Sequence, residues 1–577
     1  MSPVAKVLVI GDDTRSFLST VRSLGRKGIE VHVAPFDFCA PALSSRYIRA
    51  THFLPYYLDG GQEWLDAITA LMRTHHFSLV IPCDERGLLP LCLHRDLLAK
   101  LAVLAIPSPE ALDIFFDKTK TRALASMQNV PIAPGRMLSE HDTVESIVTD
   151  IGLPVVLKEP KSYMLPDLYV RTSTKIVGMR AELAAWLAAH DKNQPVLLEK
   201  MFPGFGLGVS VLCKQGQVLQ AFEHHRANEL NGSSYYRKSA QIDPERLAAV
   251  ERMVQASTYT GLAMFEFKHD LTTGKWILIE VNARPWGSIP LPVSIGIDFP
   301  YLLYRLLVEG KTMGPMNYPA GRYCRNLIQD FSQARARARQ LLRQPHEFVA
   351  HCASWAWSFH RMLTGREHLD TLVRDDMRPG IRELQALFSS RPIMQRGSSA
   401  SSGKMSLKEC LAQLAKSGRV VRILFVCQGN INRSSYAELK AAQLFDPSLF
   451  HFASAGMLPR NRRGSPALAI SVAARHGVDM SAHRSRHATA ERMSAADIVI
   501  VFDEINQNSI RTRYPHFEKP VYLLGGAVSD TDLSIPDPEG KDEATFVSTY
   551  QRIDACLTKL AETTPVCTEF TQDKIPC

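Results

Sequence analysis

The stretch VRILFVCQGNINRSSYAELK, from Val421 to Lys440, contains an apolar strand pattern, then a polar loop, then a helix pattern. A loop between a strand and a helix directs several backbone N–H groups and the positive end of the helix dipole towards one point, which binds an anion. Cys427 ends the strand pattern, and Arg433 and Ser434 open the helix pattern. The stretch therefore predicts an α/β domain with an anion site at its first loop.

The residue types in this loop suit phosphate-monoester chemistry. The same field stabilises a thiolate, which is the nucleophilic form of Cys427, and Ser434 can donate a hydrogen bond to the sulfur. A guanidinium at Arg433 can hold two phosphate oxygens bidentately. Asn430 can adopt a left-handed conformation that ties the loop together. A proton donor is also needed for the departing oxygen, and Asp537 in SIPDPEGKDEATF is the candidate.

The segment from about 420 to 562 resembles the low-molecular-weight protein tyrosine phosphatases. It shares the loop Cys-x5-Arg-Ser, a late Asp-Pro, and in order ASAGM (453–457), GVDMSAHRSR (477–486) and ADIVIVFDEIN (496–506). The resemblance implies a doubly wound parallel sheet and the following roles: Cys427 as nucleophile, Arg433 as phosphate clamp, Ser434 as thiolate partner, Asp537 as acid and then base, and Asn430 and Ser454 as supporting residues.

The segment departs from the family pattern at two places. Asn432 stands where many members have a second cysteine, and the tyrosine pair that often follows Asp-Pro is absent. Protection by an adjacent thiol is therefore not expected, and the substrate stays open between a phosphotyrosyl protein and a phosphorylated small molecule. Arsenate reduction on this fold needs further redox cysteines, and the sequence has none between Cys427 and Cys556.

The first 325 residues show two different patterns. KVLVIGDDTRSFLSTVRSLGRKGIEVHVAPF reads as a βαβ unit, which implies a parallel sheet in a three-layer domain. From about residue 150 the chain becomes rich in strand patterns joined as antiparallel hairpins, which predicts an α+β region.

Charged residues occur at defined edges of these elements. Lys118 opens a helix pattern, and Lys158 ends an apolar strand pattern. The strand period of two puts Glu280, Asn282 and Arg284 on one face, with Glu266 at the matching end of the same hairpin. Carboxylate and amide oxygens suit Mg²⁺, and lysines suit the phosphates of a nucleotide.

Residues 5 to 310 resemble the ATP-grasp superfamily. The resemblance implies ATP with Mg²⁺, or Mn²⁺ in its place, and a reaction in which a small carboxylate becomes an acyl phosphate that an amine attacks. It assigns these residues: Lys118 and Lys158 to phosphates; Glu199, Lys200 and Phe202 to adenine and ribose; Glu266, Glu280 and Asn282 to the metal; Arg284 to the reacting group.

The segment after Lys158, KSYMLPDLYVRTST, contains no glycine, whereas the phosphate-covering loop of that superfamily is usually rich in glycine. An alternative function therefore stays open: a nucleotide-binding module without ligation, attached to a regulatory tyrosine phosphatase.

Composition limits the remaining classes. The 577 residues are 45% hydrophobic and carry a formal charge of +9, without the basic blocks of nucleic-acid binders, a membrane-length apolar run or a signal peptide. We expect a cytoplasmic enzyme that binds neither nucleic acid nor membrane. The expected domains are an N-terminal α/β domain (1–110), an ATP-binding domain (111–325), a helical appendage (326–392), a Gly/Ser linker (393–418) and the phosphatase-like domain (419–577).

Overall fold

The computed structural model describes residues 5–37, 40–57, 60–163, 168, 174–191, 194–230, 233–342, 344–388, 406–415, 419–458, 462–514, 517, 519–529 and 533–562. The chain divides into two compact units, Met1–Ser390 and Arg391–Cys577. No helix within the described ranges is both long and apolar enough to cross a membrane.

The first unit begins with a parallel five-stranded sheet in the order β3-β2-β1-β4-β5. Its strands are β1 (Lys6–Ile10), β2 (Glu30–Ala34), β3 (Ile48–Thr51), β4 (Leu79–Pro82) and β5 (Val103–Leu104). Its helices are α1 (Ser16–Arg26), α2 (Gln62–His75), α3 (Glu85–Leu93) and α4 (Arg95–Leu98), with a 3₁₀ turn at Pro41–Ser44. Phe17 and Val21 of α1 are buried on one face, and Ile68 of α2 and Leu89 of α3 on the other. The three-layer N-terminal domain is confirmed.

Two further sheets form the rest of this unit. The smaller has the order β6-β9-β7-β8, and the larger the order β14-β13-β10-β11-β12-β15-β16. The strands are β6 (Gly135–Met137), β7 (Val155–Lys158), β8 (Lys175–Val177), β9 (Leu197–Lys200), β10 (Phe205–Lys214), β11 (Gln217–Leu230), β12 (Ser233–Ala240), β13 (Gly261–His269), β14 (Trp276–Asn282), β15 (Tyr323–Arg325) and β16 (Glu367–Leu369). The antiparallel hairpins predicted from residue 150 onwards are confirmed.

The remaining helices of this unit pack on its sheets, connect their strands or, in the case of the last helix, pack against the 3₁₀ turn Pro41–Ser44. They are α5 (Pro109–Phe115), α6 (Lys118–Met127), α7 (Val144–Asp150), α8 (Arg180–Ala189), α9 (Pro244–Ala256), α10 (Pro290–Ser294), α11 (Phe299–Leu307), α12 (Leu327–Gln340), α13 (Pro345–Ser358), α14 (His360–Leu363) and α15 (Arg378–Phe388). The Asp117 carboxylate caps α6 by accepting the N–H groups of Thr119 and Lys120, so Lys118 opens this helix as predicted.

Residues 326–392 are not a purely helical appendage. Strand β16 pairs with β15 and extends the larger sheet. The Arg325 guanidinium, 1% exposed, donates to Glu367 at 2.6 Å and to Asp330 at 2.7 Å. A buried cation needs such partners, and here the cation lies before the predicted boundary while both of its partners lie after it. The segment is therefore part of the sheet core of the first unit.

The second unit is a parallel four-stranded sheet in the order β18-β17-β19-β20, with helices on both faces. Its strands are β17 (Val421–Cys427), β18 (Phe450–Gly456), β19 (Ile498–Val501) and β20 (Val521–Leu523). Its helices are α16 (Leu407–Ala415), α17 (Arg433–Leu444), α18 (Ala467–Arg475), α19 (Ala490–Ala495), α20 (Glu504–Arg513) and α21 (Glu543–Ala561), with a 3₁₀ turn at Leu524–Ala527. This confirms the doubly wound sheet.

The linker predicted at 393–418 is too long. Helix α16 lies inside that interval, and its Leu407, Cys410 and Leu411 are buried in the core of the second unit. The linker was predicted from the Gly/Ser-rich composition of residues 395–406, and the amphipathic helix pattern that follows these residues was not recognised. Residues 393–405 and 416–418 lie outside the described ranges.

Candidate active sites

The loop after β17 surrounds the sulfur of Cys427 with hydrogen-bonding groups. The Cys427 Sγ lies 3.0 Å from the Ser434 Oγ, and the Asn430 backbone N–H donates to the sulfur at 3.2 Å. The cysteine side chain is buried, and α17 begins at Arg433 with its N-terminus at the loop. Donors and a helix N-terminus around one sulfur stabilise its anionic form.

Asn430 holds the loop in shape. Its φ of +52° is in the left-handed region, which asparagine tolerates better than most residues. Its side-chain amide donates to Ser434 at 3.0 Å and to Ser454 at 2.7 Å. Its side-chain oxygen accepts the Arg486 backbone N–H at 2.7 Å, and its carbonyl accepts from His483 Nε2 at 2.8 Å. His483 is therefore part of the network that holds this loop.

Strand β18 approaches the same loop closely. A Cβ at Gly456 would lie 3.0 Å from the backbone N and the Cβ of Asn430, so only glycine leaves room there. The Met457 N–H donates to the Cys427 carbonyl at 2.9 Å. Sequence inspection placed Gly456 within a motif but did not predict β18 as a strand, because FHFASAG lacks a continuous apolar run.

Arg433 connects the loop to two carboxylates. Its guanidinium, 1% exposed, donates to Asp503 at 2.6 Å and to Asp537 at 2.5 Å. Burial disfavours the cation, but the charges of Asp537, Cys427 and Asp503 outweigh it and raise the pKa of Arg433. Within the described part of the chain, the buried Arg433 Nε has no hydrogen-bond partner. The structure thus brings Cys427, Arg433 and Asp537 together and leaves one donor for an anion.

Other residues at this site were missed from the sequence. Glu539 accepts from Asn432 Nδ2 at 2.8 Å and from Arg463 at 3.4 Å. Glu438 accepts from Arg486 at 2.8 Å and is also hydrogen-bonded to the Ser454 hydroxyl. The spacing of Asp503 from the loop in sequence does not indicate that it belongs to the site. Its position just after β19 does indicate this, because functional residues gather at the carboxyl edge of a parallel sheet.

A cavity of about 830 Å³ lies between the two antiparallel sheets of the first unit. Its lining includes most of the nucleotide and metal residues expected there: Lys118, Lys158, Glu199, Lys200, Phe202, Glu266 and Glu280. This volume is in the range of small-molecule sites. The cavity therefore collects residues that are up to 162 positions apart in sequence, from Lys118 to Glu280.

Lys158 and Glu199 face each other on neighbouring strands. The Lys158 ammonium lies 2.5 Å from the Glu199 carboxylate, and both side chains are buried. Arg122, one helical turn after Lys118, donates to the other Glu199 oxygen at 2.5 Å. Glu199 thus positions two cations, Lys158 and Arg122. The i, i+4 spacing of Lys118 and Arg122, which puts both on one helix face, was the sequence signal for Arg122.

Glu266 and Glu280 are direct cross-strand partners on β13 and β14. Burial and the Glu280 charge raise the pKa of Glu266, while Arg226, which forms an ion pair with Glu266, opposes that rise. Asn282 Nδ2 donates to Glu266 at 3.0 Å. Two half-buried carboxylates with an amide beside them are a hard oxygen donor set that fits Mg²⁺. Arg226 was left open by the sequence and lines the cavity.

Asn282 and Arg284 are not among the described residues that line the cavity. Arg284 Nη2 donates to Glu85 of α3 at 2.7 Å and to the Asn282 side-chain oxygen at 3.2 Å. These contacts place Arg284 beside the Asn282 amide and against the N-terminal domain. Of the glycine-free segment 161–174, residues 164–167 and 169–173 lie outside the described ranges, while Ser162 accepts from Lys118 at 3.0 Å.

Residues 422–569 match the family described as low molecular weight phosphotyrosine protein phosphatase. A low-molecular-weight protein-tyrosine-phosphatase of Acinetobacter johnsonii, Ptp, is 32% identical over 136 residues, which is 23% of this chain and 92% of that protein. A protein of Emericella nidulans named "Putative urea carboxylase" is 24% identical over 209 residues, which is 33% of this chain but only 16% of that protein. The structure of N5-carboxyaminoimidazole synthetase from Staphylococcus aureus with ADP is similar at 15% identity and a TM-score of 0.45, covering 60% of this chain and 86% of that one.

Proposed function

Because the chain belongs, through residues 422–569, to the low-molecular-weight phosphotyrosine protein phosphatase family, we propose that its second unit hydrolyses phosphate monoesters through a phosphocysteine at Cys427. The observation that supports this most strongly is the unpartnered, buried Nε of Arg433 within a loop whose N–H and hydroxyl groups surround the Cys427 sulfur. That arrangement is complementary to a phosphate dianion.

The first step transfers the phosphoryl group to sulfur. The Cys427 thiolate attacks phosphorus, the bond from phosphorus to the ester oxygen breaks, and Asp537 donates its proton to the departing oxygen. Arg433 holds the equatorial oxygens. Protonation of Asp537 also removes its negative charge from the ion pair with Arg433. The Arg433 guanidinium is therefore released to bind the phosphate when Asp537 carries the proton that it will donate.

The second step restores the enzyme. Asp537, now a carboxylate, takes a proton from water while the water oxygen attacks phosphorus. The sulfur–phosphorus bond breaks, its electron pair returns to Cys427, and inorganic phosphate leaves. Ser434 and the Asn430 N–H stabilise the departing thiolate, since both contact the sulfur.

Cys427→Ser tests this step with p-nitrophenyl phosphate as the substrate. A serine hydroxyl is a much weaker nucleophile than a thiolate, so we expect kcat to fall by at least about 10⁴-fold. Cys410→Ser in the same unit is the matched control, because Cys410 is also a buried cysteine but belongs to α16 and not to the loop. Activity of the Cys427→Ser variant equal to that of the control would exclude the covalent mechanism.

We propose that the first unit binds ATP in the 830 Å³ cavity and activates a small carboxylate for attack by an amine. The supporting observation is the charge arrangement: lysines 118, 158 and 200 and two carboxylates, Glu266 and Glu280, line one cavity. Mg²⁺, or Mn²⁺ in its place, would be held by these carboxylates and would neutralise phosphate charge. Asn282 would join them through its amide oxygen if its side chain turned by half a rotation.

The reaction has two balanced steps. A carboxylate oxygen attacks the terminal phosphorus of ATP, the bond to the bridging oxygen breaks, and ADP leaves with an acyl phosphate formed. The amine nitrogen then attacks the acyl carbon, inorganic phosphate leaves, and the amide product forms after loss of a proton. Arg284, which contacts Asn282 and Glu85, would orient the carboxylate at this end of the site.

The alternative is a nucleotide-binding module beside a phosphatase that acts on phosphotyrosyl proteins. ADP release from MgATP with pooled carboxylic acids and amines separates the two proposals. The ligase predicts ADP release that needs both pools and is lost in Glu280→Gln, whereas a module predicts MgATP binding without turnover. Comparing phosphotyrosyl peptides with phosphorylated metabolites as phosphatase substrates decides whether the second unit acts on a protein or on a small molecule.

A further inference from the structure

Three histidines converge at the β3 edge of the N-terminal sheet, and none of them is among the described residues that line the cavity of the first unit. His32 lies on β2, His52 directly follows β3, and His75 ends α2. Within the described ranges, one nitrogen from each imidazole can be chosen so that all lie within 4.8 Å of one another. Because the spacings of 20 and 23 residues match no metal motif, sequence inspection gave no indication of this cluster.

The backbone fixes the three side chains relative to one another. Strands β2 and β3 are adjacent and parallel, and the His52 N–H donates to the Val33 carbonyl at 2.8 Å. The ring centroid of His75 is 4.7 Å from that of His52 and 4.9 Å from that of His32. His32 is 4% exposed, whereas His52 and His75 are half-buried, so the cluster has one face to solvent.

The hydrogen bonds orient a lone pair towards the middle of this cluster. His32 Nε2 lies 2.8 Å from the Glu30 carboxylate, which can only accept, so this nitrogen carries the proton. His32 Nδ1 is then the basic nitrogen, and it lies 2.7 Å from His52 Nε2 with the two ring planes 5° apart. A carboxylate that fixes the outer N–H of an imidazole is the usual support of a metal-bound histidine.

We propose that His32, His52 and His75 bind one zinc-class divalent cation, held at His32 Nδ1, His52 Nε2 and a nitrogen of His75. The cation replaces the proton that His32 and His52 share. Zn–N bonds of about 2.0–2.1 Å require ligand atoms about 3.4 Å apart, so His52 withdraws slightly and His75 turns inwards. Water fills the fourth position on the solvent side. Glu30 supplies one negative charge, and Lys6, its cross-strand neighbour on β1, supplies one positive charge.

Imidazole nitrogens favour zinc, copper or nickel over Mg²⁺, so this site differs in chemistry from the oxygen-lined cavity. Its effect would be structural, because the cation joins the β2–β3 edge to the end of α2. The competing interpretation is a hydrogen-bonded aromatic cluster packed against Phe77, whose ring lies 5.2 Å from His32.

The test uses the untagged full chain carrying Cys427→Ser, so that neither a polyhistidine tag nor the loop thiol binds metal. After chelator treatment, Co²⁺ is titrated in excess Mg²⁺ and followed by its visible absorption, and Zn²⁺ by calorimetry. We expect one equivalent, bound at least about tenfold more weakly in His52→Gln and His75→Gln. His76→Gln is the matched control, since His76 is exposed and follows α2 immediately.

Thermal unfolding gives the second readout. Zn²⁺ should raise Tm in the parent and in the His76→Gln control, but not in His52→Gln or His75→Gln. If a histidine variant fails to fold, Glu30→Gln replaces it, and we expect Co²⁺ affinity to fall by about tenfold there. Equal Co²⁺ affinity in the parent and the His52→Gln and His75→Gln variants, or no binding by the parent, would overturn the metal site in favour of the aromatic cluster.

Discussion

The two candidate active sites are built from the chain in opposite ways. The phosphatase site takes Cys427, Asn430, Arg433 and Ser434 from one stretch of eight residues, and the two carboxylates that pair with Arg433, Asp503 and Asp537, come from elsewhere. The cavity of the first unit takes its charges from α6, β7, β9, β13 and β14. A contiguous loop keeps its geometry through local hydrogen bonds, whereas the cavity depends on the correct register of two sheets.

The same contrast appears in how each site holds its charges. Arg433 is buried against two carboxylates that compete with a phosphate for it. In the cavity, Lys158 is paired with Glu199 and Glu266 with Arg226, so one lysine and one carboxylate that a nucleotide or metal would bind already have protein partners. Binding of a ligand at either site therefore replaces ion pairs within the protein by ion pairs with the ligand. We expect substitutions at the two sites to differ in the size of their effect on activity or binding.

After Cys427→Ser, the largest effect should come from Arg433→Lys. A lysine cannot make the bidentate contact or fill the buried position between Asp503 and Asp537, so we expect kcat for p-nitrophenyl phosphate to fall by about 10³-fold. Arg475→Lys is the control, because Arg475 forms an exposed pair with Glu543 in the same unit. Wild-type turnover in Arg433→Lys would show that the loop does not act through a guanidinium clamp.

Asp537→Asn should have an effect that depends on the leaving group. Without a proton donor, hydrolysis of an alkyl phosphate should slow by roughly 10²-fold, whereas formation of the phosphocysteine from p-nitrophenyl phosphate should slow by much less. Stopped-flow bursts measure the first step for both substrates, with Asp446→Asn, in an exposed turn, as the control. A loss that is the same for both leaving groups would assign the acid elsewhere.

Glu280→Gln should change the metal requirement of the first unit and leave the second unchanged. Loss of one carboxylate should raise the Mg²⁺ concentration for half-maximal ATP binding by about tenfold. Glu309→Gln, whose side chain lies away from the cavity, is the control. An unchanged Mg²⁺ dependence would remove Glu280 from the metal site.

The smallest effect should be on stability. His483 donates to the Asn430 carbonyl, and His483→Gln should lower the free energy of unfolding by about 1 kcal/mol at pH 8. Burial lowers the pKa of His483, so its stabilising contribution is present above its unfolded-state pKa of about 6.5 and is lost as pH falls through the lower native pKa. The difference between the variant and the wild type should therefore shrink on acidification, as urea unfolding at several pH values would measure. A difference that grows at low pH would contradict this.

The sequence predicted the structure correctly where the functional residues and the pattern of the secondary-structure element lie within the same few residues. The strand–loop–helix at Val421–Lys440, the helix start at Lys118 and the strand end at Lys158 were all predicted from local pattern. The direct pairing of Glu266 with Glu280 was not predicted. A β-bulge between Glu266 and Phe267 sets the register of these strands, and the alternation of residues in the sequence does not reveal a bulge.

Long-range partners escaped prediction for a related reason. The helix face that Arg122 shares with Lys118 does not identify Glu199 as its partner, and nothing near Arg325 indicates that Glu367, 42 positions later, accepts its hydrogen bonds. Such ion pairs form only after sheets pack, so the sequence misassigned residues 326–392 as an appendage. Helix α16 was hidden by the composition of the segment before it.

The proposed phosphatase mechanism requires that a phosphoryl group passes through the sulfur of Cys427. The most direct test is rapid acid quenching of the chain with p-nitrophenyl phosphate, followed by peptide mass spectrometry. We predict a phosphate adduct on the peptide that contains Cys427, more abundant in Asp537→Asn because hydrolysis lacks its base, and absent in Cys427→Ser. Turnover by the wild type without any adduct, or an adduct that persists in Cys427→Ser, would contradict the mechanism.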